Sequence, residues 1–428
     1  MLRAGQDITG RASAESGKLP MHKTSLWHLA VICLPVSLLG LEAQAQDVSA
    51  LKADLARAGV DAGVSVTQIS QGIVSGDGDR DWQTGGKVDA TLRFDGAAFG
   101  LWSGLSVSVH QEWVYGEDVN AQGDGSLLPV NAMMGFPRLG GSDSETSIVV
   151  TQSFSDRLSV SAGKFNMLDA ASRTPLLGGG GTSTFSHLGF AGPITGITPP
   201  YLLGVMGTLR TDTVIATVMI YDPRNAQDFE VIEDPFTDGV TVSLSTTFPV
   251  SLGGRPGFQA IRGVYSTQRG LNLNDIPQLA LPPEAEAVAG EKSGRWYMAY
   301  SFQQYLFQQA QDPTRGWGVF GQFAISDGNP NTIESSVLVG IGGDSPLAQR
   351  PRDRWGIGYF RYNLSGALLD GLDAVGIDNL REEQGVEAFY NVALTGNLRL
   401  TGNLNYIAPG ESARRNAVFA GLRLQASF

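Results

Sequence analysis

VFAGLRLQASF, residues 418–428, ends the chain and decides its fold class. The even positions, from Val418 to Phe428, are all apolar, whereas the odd positions include Arg423, Gln425 and Ser427. Successive side chains of a β-strand point to opposite faces of the sheet. This stretch therefore predicts a strand with one apolar face and one mostly polar face.

The same alternation recurs along the chain. Residues 388–394 and 398–406 alternate on either side of the Gly396-Asn397 turn, which predicts a β-hairpin. Similar runs lie at 88–94, 240–248 and 317–325, whereas residues 355–364 carry aromatic side chains on both faces. After the N-terminal region, only residues 49–58 have helical spacing. The chain is predicted to be all-β.

Composition excludes several classes of protein. The 428 residues include 55 Gly and are 42% hydrophobic but only 17% charged, which is too apolar for a disordered chain. A single cysteine, Cys33, cannot build a disulfide scaffold. The net charge of −12 disfavours nucleic acid as a partner, because nucleic acid is bound by basic patches.

The N-terminal residues have the pattern of an export signal. His22 and Lys23 follow Met21, an apolar run spans 26–41, and Ala43-Gln44-Ala45 supplies a cleavage site. The alternative, a membrane anchor, is disfavoured because the run is short and contains Pro35. We predict an upstream extension plus signal peptide at 1–45, an N-terminal segment at 46–84 and a single β-domain at 85–428.

Apolar–polar alternation fits a soluble sandwich or a membrane barrel. Export, the terminal aromatic Phe428 and Ser, Thr, Asn and Gln on the polar faces favour a transmembrane antiparallel β-barrel with a water-filled lumen. At about 24 residues per strand, a mature chain of roughly 380 residues predicts 16 strands, with 14 or 18 as alternatives. Aromatic side chains expected near strand ends, where a barrel meets the membrane surface, are Trp296, Tyr300, Trp317, Trp355, Tyr390 and Tyr406.

Three Gly-, Pro- and Ser-rich stretches, 116–143, 173–200 and 272–294, are predicted to be long loops. We expect Arg173–Pro200 to fold inward and narrow the pore. Its run Gly178–Gly181 lacks the Gly-Lys-Ser/Thr that completes a phosphate-binding loop, so we interpret it as a flexible segment.

Motifs that could carry chemistry are few. After residue 45 the chain has two histidines, His110 and His187, and no cysteine, so no zinc-ligand spacing is present. Ser106, Ser108 and His110 share one polar face, which leaves open an outer-membrane hydrolase with His110 as the base. No catalytic residue, cofactor or metal site is predicted.

Two charged segments have alternative interpretations. Asp77–Asp81 resembles the start of a calcium loop, but Trp82 and Val88 stand where an EF-hand requires Gly and Glu, which favours a solvated acidic turn. The basic cluster Arg350–Arg354 fits either lipid headgroup anions or a pore mouth, and the sequence does not decide between them.

The C-terminal third contains a set of distinctive segments: GVFGQF at 318–323, SDGNPN at 326–331, GIGG at 340–343, RPRDRWG at 350–356 and GVEAFYN at 385–391. In these segments the chain resembles the carbohydrate-selective porins of the OprB type, and the order of shared segments fits most of 85–428. The resemblance implies a 16-stranded outer-membrane porin of a Gram-negative bacterium that passes glucose-like sugars by diffusion, with a general or anion-selective porin as the alternative. The chain departs from the family pattern at Gly396-Asn397 and at 403–406.

Lumen-facing candidates come from the odd positions near the C-terminus, and we expect Arg399 and Glu387 to help set the constriction. The predicted partners are outer-membrane lipid and lipopolysaccharide, carbohydrate solutes, and the barrel-assembly machinery through Phe428, with a homo-oligomer left open. The pore-lining candidates are Glu387, Asn391, Arg399, Asn403, Asn405, Arg423 and Gln425.

Overall fold

The computed structural model describes residues 50–281 and 288–428. Sixteen antiparallel strands form a closed barrel, which confirms the predicted fold class and strand number. The predicted signal peptide at 1–45 lies outside the described residues. The strands are β1 Val60–Ser75, β2 Gln83–Asp95, β3 Leu105–Gly116, β4 Ser144–Ser153, β5 Leu158–Asn166, β6 Tyr201–Arg210, β7 Ile215–Tyr221, β8 Thr241–Leu252, β9 Arg255–Ser266, β10 Gly270–Leu271, β11 Glu291–Lys292, β12 Arg295–Gln308, β13 Gly316–Ser326, β14 Ile333–Asp344, β15 Arg354–Leu364, β16 Glu383–Ala393, β17 Leu398–Ala408 and β18 Ala417–Ser427.

Strands β10 and β11 pair only with each other, in a two-stranded sheet outside the barrel. The helices are short and lie between strands, apart from α1 at 50–57, which precedes β1. In the described part of the chain, no helix has both the length and the apolar character needed to cross a membrane. The other helices are α2 Ala132–Arg138, α3 Met167–Ser172, α4 Phe229–Glu233, α5 Ile276–Leu279 and α6 Gly366–Asp373.

Connections of different length emerge at the two ends of the barrel. One end, here the short-turn end, carries tight connections such as 154–157, 211–214 and 253–254. The opposite, long-loop end carries 117–143 and 167–200, among others. In outer-membrane barrels the short turns are periplasmic and the long loops extracellular.

The barrel begins earlier than the predicted boundary at residue 85. Strand β1 starts at Val60, pairs with β2 along one edge and pairs with β18 along the other. The sequence did not predict this strand, because its apolar side chains change from the outer face to the inner face halfway along it. Ile69 and Ile73 are buried inside the barrel, whereas Ser70 and Gly72 occupy the alternate positions.

Side-chain burial assigns the two faces of each strand. On β17 and β18, Leu404, Leu422 and Leu424 are exposed on the outside, whereas Asn405 and Arg423 are buried on the inside. The predicted apolar and polar faces are therefore confirmed for these strands. On β15, whose faces the sequence left open, Phe360 and Tyr362 point inward and Ile357 points outward.

Aromatic side chains lie on the outer wall near both rims. Trp317 and Trp355 have ring centroids 6.0 Å apart at the short-turn end, and Tyr390 is paired with Trp355 across β15 and β16. Trp296 lies at the long-loop end, beside Tyr265 of β9. Tyr300 differs from the prediction, because it lies farther inside β12 and stacks on Phe323.

We predict that Leu422→Arg destabilises the barrel by about 2–4 kcal/mol, because a guanidinium near mid-strand on the outer wall would be placed in hydrocarbon. The free energy of unfolding in lipid vesicles, measured by denaturant titration, checks this. The matched control is Thr247→Arg, at an inward mid-strand position of β8, for which we expect a change below about 1 kcal/mol. Equal losses in both variants would contradict the assignment of faces.

Candidate functional site

The connection between β5 and β6, residues 167–200, folds into the barrel and is here called the inner loop. Its Phe185 and Phe190 are buried and stacked, with ring centroids 4.3 Å apart. Phe185 contacts Phe389 of β16 edge-to-face at 4.8 Å, and Phe190 contacts Phe360 of β15 at 5.6 Å. The structure thus confirms that Arg173–Pro200 enters the barrel.

Glycines on the inner wall make room for these rings. A Cβ atom at Gly358 would lie 2.4 Å from Phe190, and one at Gly356 would lie 2.9 Å from Phe185. Such distances leave no space for a side chain. The glycines of β15 therefore allow the phenylalanines of the inner loop to reach the strand backbone.

Buried charged and polar groups anchor the inner loop to β16–β18. Glu387 accepts hydrogen bonds from the Ser186 backbone N–H at 2.7 Å, the Ser186 hydroxyl at 2.9 Å and the His187 N–H at 3.0 Å. Arg423 donates to the carbonyl oxygens of Gly181 and Thr184. The loop's own backbone polar groups are satisfied in this way inside the barrel.

His187 has a structural position in the same loop. Its Nδ1 accepts a hydrogen bond from the Gly189 N–H at 2.9 Å, and its ring stacks on Phe360 with centroids 4.2 Å apart. Burial lowers the pKa of His187 to about 3, so the ring is neutral at physiological pH.

The seven predicted pore-lining residues all face the interior, but the structure divides them by accessibility. Arg399 and Gln425, near the short-turn end, are half-buried. Asn403 and Asn405 donate to the Ser186 hydroxyl at 3.1 and 3.2 Å, beneath the inner loop. The fully buried members are Glu387, Asn391, Asn403, Asn405 and Arg423.

Glu387 and Arg399 are not brought together. In the pairing of β16 with β17, Glu387 is opposite Asn405 and Arg399 is opposite Ala393. The two residues thus differ by six positions in height, about 20 Å along the strands. The two side chains therefore cannot meet at one height of the lumen, because the register of β16 with β17 sets them apart; that each of them helps to set the constriction stays a prediction.

The connection 117–143 also enters the barrel, on the side of β1 and β16. Asn131 Nδ2 donates to Gln71 Oε1 at 2.7 Å, and the Leu127 N–H donates to Glu383 Oε2 at 2.7 Å. Met133 and Met134 are fully buried against Ile69 of β1. Two loops therefore fill the part of the lumen next to β13–β18 and β1, and α2 extends this filling to the neighbouring strands β2 and β3.

A cluster of charged side chains covers the inner wall of β2–β5, and we call it the charged wall. The Lys87 ammonium is 2.9 Å from Asp89 Oδ1 and also pairs with Glu112, while Lys164 pairs with Glu145. Its members are Lys87, Asp89, His110, Glu112, Glu145 and Lys164, together with Asp169 from α3 of the inner loop.

His110 joins the charged wall to the inner loop. Its Nε2 lies 2.9 Å from Asp89 Oδ1 and its Nδ1 lies 2.8 Å from Asp169 Oδ2. The Asp169 side chain is 36% exposed, the most accessible of these three. The contact therefore combines a fixed wall residue with a carboxylate that meets the lumen.

The geometry of His110 does not match a hydrolase or a metal centre. A catalytic serine would need to hydrogen-bond one ring nitrogen, but both nitrogens are within 2.9 Å of carboxylates. Ligand atoms of Asp89, His110 and Glu112 lie close together, but the Lys87 ammonium pairs with both carboxylates. A cation is thus already present where a metal would bind.

The inner wall on the other side of the lumen is mostly uncharged. The half-buried inward residues of β8–β13 include Ser243, Ser245, Ser301 and Gln322, with Arg262 as a charged member. Hydroxyl and amide groups exchange hydrogen bonds with water or with a polyhydroxylated solute at similar energy. This side suits the transient contacts of a diffusing polyol.

The structure also shows the contacts of the two charged segments, Asp77–Asp81 and Arg350–Arg354. Asp77 binds the Arg415 side chain at 2.9 Å and the Arg415 N–H at 2.9 Å, which lowers the pKa of Asp77, so the acidic turn is ion-paired. Within Arg350–Arg354, Arg350 pairs with Asp353 and Arg354 points into the barrel. The cluster therefore lies in part at the inner rim.

Sequence reasoning missed the charged wall as a unit. Its members come from four strands and one loop, so no local spacing connects them. The alternating pattern indicated only that Asp89 lies on the polar face of the run 88–94 and that His110 shares a polar face with Ser106 and Ser108. Their proximity depends on strand register, which becomes visible only in the assembled barrel.

Comparison with known proteins gives a consistent result. A model of the family described as "Carbohydrate-selective porin, OprB family" matches residues 79–428. Two solved structures of Pseudomonas putida OprB are similar. The high-pH form has a TM-score of 0.75 and 19% identity, and the low-pH form has 0.52 and 15%. Both alignments cover 89% of this chain and 97% of the other. Among curated protein sequences, no match is found.

We predict that Glu387→Gln loosens the inner loop, because the new amide cannot accept the same charge-assisted hydrogen bonds from Ser186 and His187. The expected result is a larger and noisier single-channel conductance in planar bilayers and a loss of about 2–4 kcal/mol in unfolding free energy. Glu382→Gln is the matched control, since Glu382 is an exposed residue in a pair with Arg361. Unchanged conductance and noise in Glu387→Gln would contradict the anchoring role.

Proposed function

The chain belongs to the OprB family of carbohydrate-selective porins, and we propose that it gives glucose-like sugars and other small solutes a passive route across the outer membrane. The closed sixteen-stranded barrel with an apolar outer wall and a polar inner wall is the observation that carries this proposal. Barrels of this size leave an aqueous channel rather than a packed core.

Narrowing by the inner loop supports selectivity for small solutes. The loop's phenylalanines and the segment 117–143 occupy the lumen beside β13–β18 and β1, and α2 of that segment also contacts β2–β4. We therefore infer that the passage runs beside Asp169 and the half-buried, hydroxyl-bearing wall of β8–β13. A sugar that enters exchanges water for wall hydrogen bonds. Because each bond is weak and several are available, the solute can both bind and leave.

Four groups are proposed as the solute contacts. Asp169 is the accessible carboxylate of the charged wall, and Ser245 and Gln322 are half-buried opposite it. Gln425 is proposed as the fourth contact, and its half-buried position on the inner face near the short-turn end supports this. The deeply buried Glu387, Asn403 and Arg423 are assigned instead to holding the inner loop.

The proposal also covers how the chain reaches the membrane and what surrounds the barrel there. We infer export through a signal peptide at 1–45 into the outer membrane of a Gram-negative bacterium, with lipid and lipopolysaccharide around the outer wall. The aromatic side chains near both rims support this placement. Phe428, whose N–H donates to Val64 O at 2.8 Å, is proposed as the signal for the barrel-assembly machinery.

Liposome swelling tests the function. We expect vesicles that contain the refolded protein to swell faster in glucose or xylose than in disaccharides, and faster than in amino acids of similar size. Protein-free vesicles and heat-denatured protein are the controls. Equal rates for sugars and amino acids would favour the alternative of a general porin, and no swelling in any solute would overturn the proposal.

A second assay tests the hydrolase alternative. We expect no release of fatty acid from phospholipid by the folded protein, because both nitrogens of His110 are engaged by Asp89 and Asp169. His110→Ala is the comparison. Hydrolysis by the unaltered protein that is lost in His110→Ala would show that the barrel is an enzyme.

A further inference from the structure

Four arginines lie close to the short-turn end of β13–β17, on the strands or directly next to them. Arg315 directly precedes β13, Arg354 is the first residue of β15 and Arg399 is the second residue of β17. Arg350 lies in the turn before β15. We call these four residues the arginine cluster, and the carboxylates next to it are Asp344 and Asp353.

Both carboxylates are already engaged. Asp344 accepts hydrogen bonds from Arg315 Nη2 at 2.7 Å and from the Gly316 N–H at 3.0 Å. Asp353 accepts from Arg350 Nε at 2.8 Å, the Tyr390 hydroxyl at 3.0 Å and the Ala393 N–H at 2.9 Å. Two of the four arginines are thereby neutralised.

Arg354 and Arg399 have no carboxylate within 4 Å among residues 50–281 and 288–428. Arg354 Nη2 donates to the Pro175 carbonyl at 2.6 Å, and its Nε is buried without a partner. Arg399 Nη1 donates to Asn391 Oδ1 at 2.6 Å and to the Arg352 carbonyl at 3.2 Å. Each guanidinium carries five N–H donors, so most donors of Arg399 remain available.

These two cations face the lumen. By the strand register, Arg354 is opposite the inward Asn391, and Arg399 is opposite the inward Gln425. Arg315 and Arg354 are both within electrostatic range of Arg399. Like charges held together on a partly dehydrated wall repel, and a bound anion would relieve this repulsion.

We propose that Arg354 and Arg399 form an anion-binding subsite at the short-turn mouth, and that it takes the carboxylate of a sugar acid. This inference rests on the proposed function, since the rest of such a solute is a polyol like a neutral sugar. A guanidinium binds a carboxylate through parallel N–H···O bonds. Gln425, opposite Arg399, supplies an amide within reach of a neighbouring hydroxyl.

Block of single-channel current in planar bilayers tests the proposal. With gluconate, glucose or inorganic phosphate on the short-turn side, we expect gluconate to block at a lower concentration than the other two. Arg399→Gln should raise the half-blocking gluconate concentration about tenfold, as the loss of one charge-assisted hydrogen-bonding group implies. Arg399→Lys keeps the charge but loses the planar, two-pronged guanidinium. Its half-blocking gluconate concentration should lie between those of the unaltered protein and of Arg399→Gln.

The matched control is Arg93→Gln. Arg93 is an inward arginine near the short-turn end of β2, three strands away from β17 in the barrel, and the residue opposite it on β1 is the carboxylate-bearing Asp61. We expect gluconate block to persist in this variant. Folding of every variant is checked by the shift of the band on heating in detergent gels.

The outcomes are separable. Gluconate block that is no stronger than glucose block in the unaltered protein overturns the subsite, while sugar-driven swelling leaves the proposed function standing. Phosphate that blocks as well as gluconate overturns the sugar-acid assignment. Equal loss of block in Arg93→Gln and Arg399→Gln attributes the effect to overall charge and also overturns the subsite. Absence of any sugar passage overturns the proposed function itself.

Discussion

Closure of the barrel is the constraint on which the rest of this structure depends. Hydrocarbon offers no partner for a free N–H or C=O group, so a sheet that spans a membrane can have no open edge. Strands β1 and β18 remove the last edge, with Ser65 opposite Ser427 and Thr67 opposite Gln425. Because each strand is paired on both sides, this register also determines which side chains share a height on the inner wall.

A ring of sixteen strands is too wide to be selective by itself, and the interior is divided accordingly. Against the inner loop, the wall beside β13–β16 presents Phe320, Phe360 and Phe389, and the wall beside β16–β18 presents the buried Glu387 and Arg423. Beside β2–β5 the wall is charged. The side next to β13–β18 holds the loop in place through packing and buried hydrogen bonds, and we expect the half-buried groups of β8–β13 and Asp169 to meet the solute.

The sequence alone predicted the features that depend on local alternation, namely the strands and the faces of their side chains. The faces of β17 and β18 follow from period two, since Leu404 and Leu422 meet lipid while Asn405 and Arg423 point inward. Strand β1 was missed because Ile69 and Ile73 face inward against the loop 117–143 and invert the pattern. The charged wall was missed because Lys87 and Glu112 meet only through the pairing of β2 with β3.

Burial separates the inward residues that shape the channel from those that can meet a solute. Glu387 has Ser186 and His187 as donors, and a passing sugar could bind it only by breaking those bonds in a water-poor site. A half-buried group such as Arg399 or Asp169 is still partly hydrated. Replacing one of its water molecules by a sugar hydroxyl exchanges one hydrogen bond for another at little cost in free energy. We therefore expect the selectivity of this barrel to depend on its half-buried groups, and the width of the passage to depend on its buried ones.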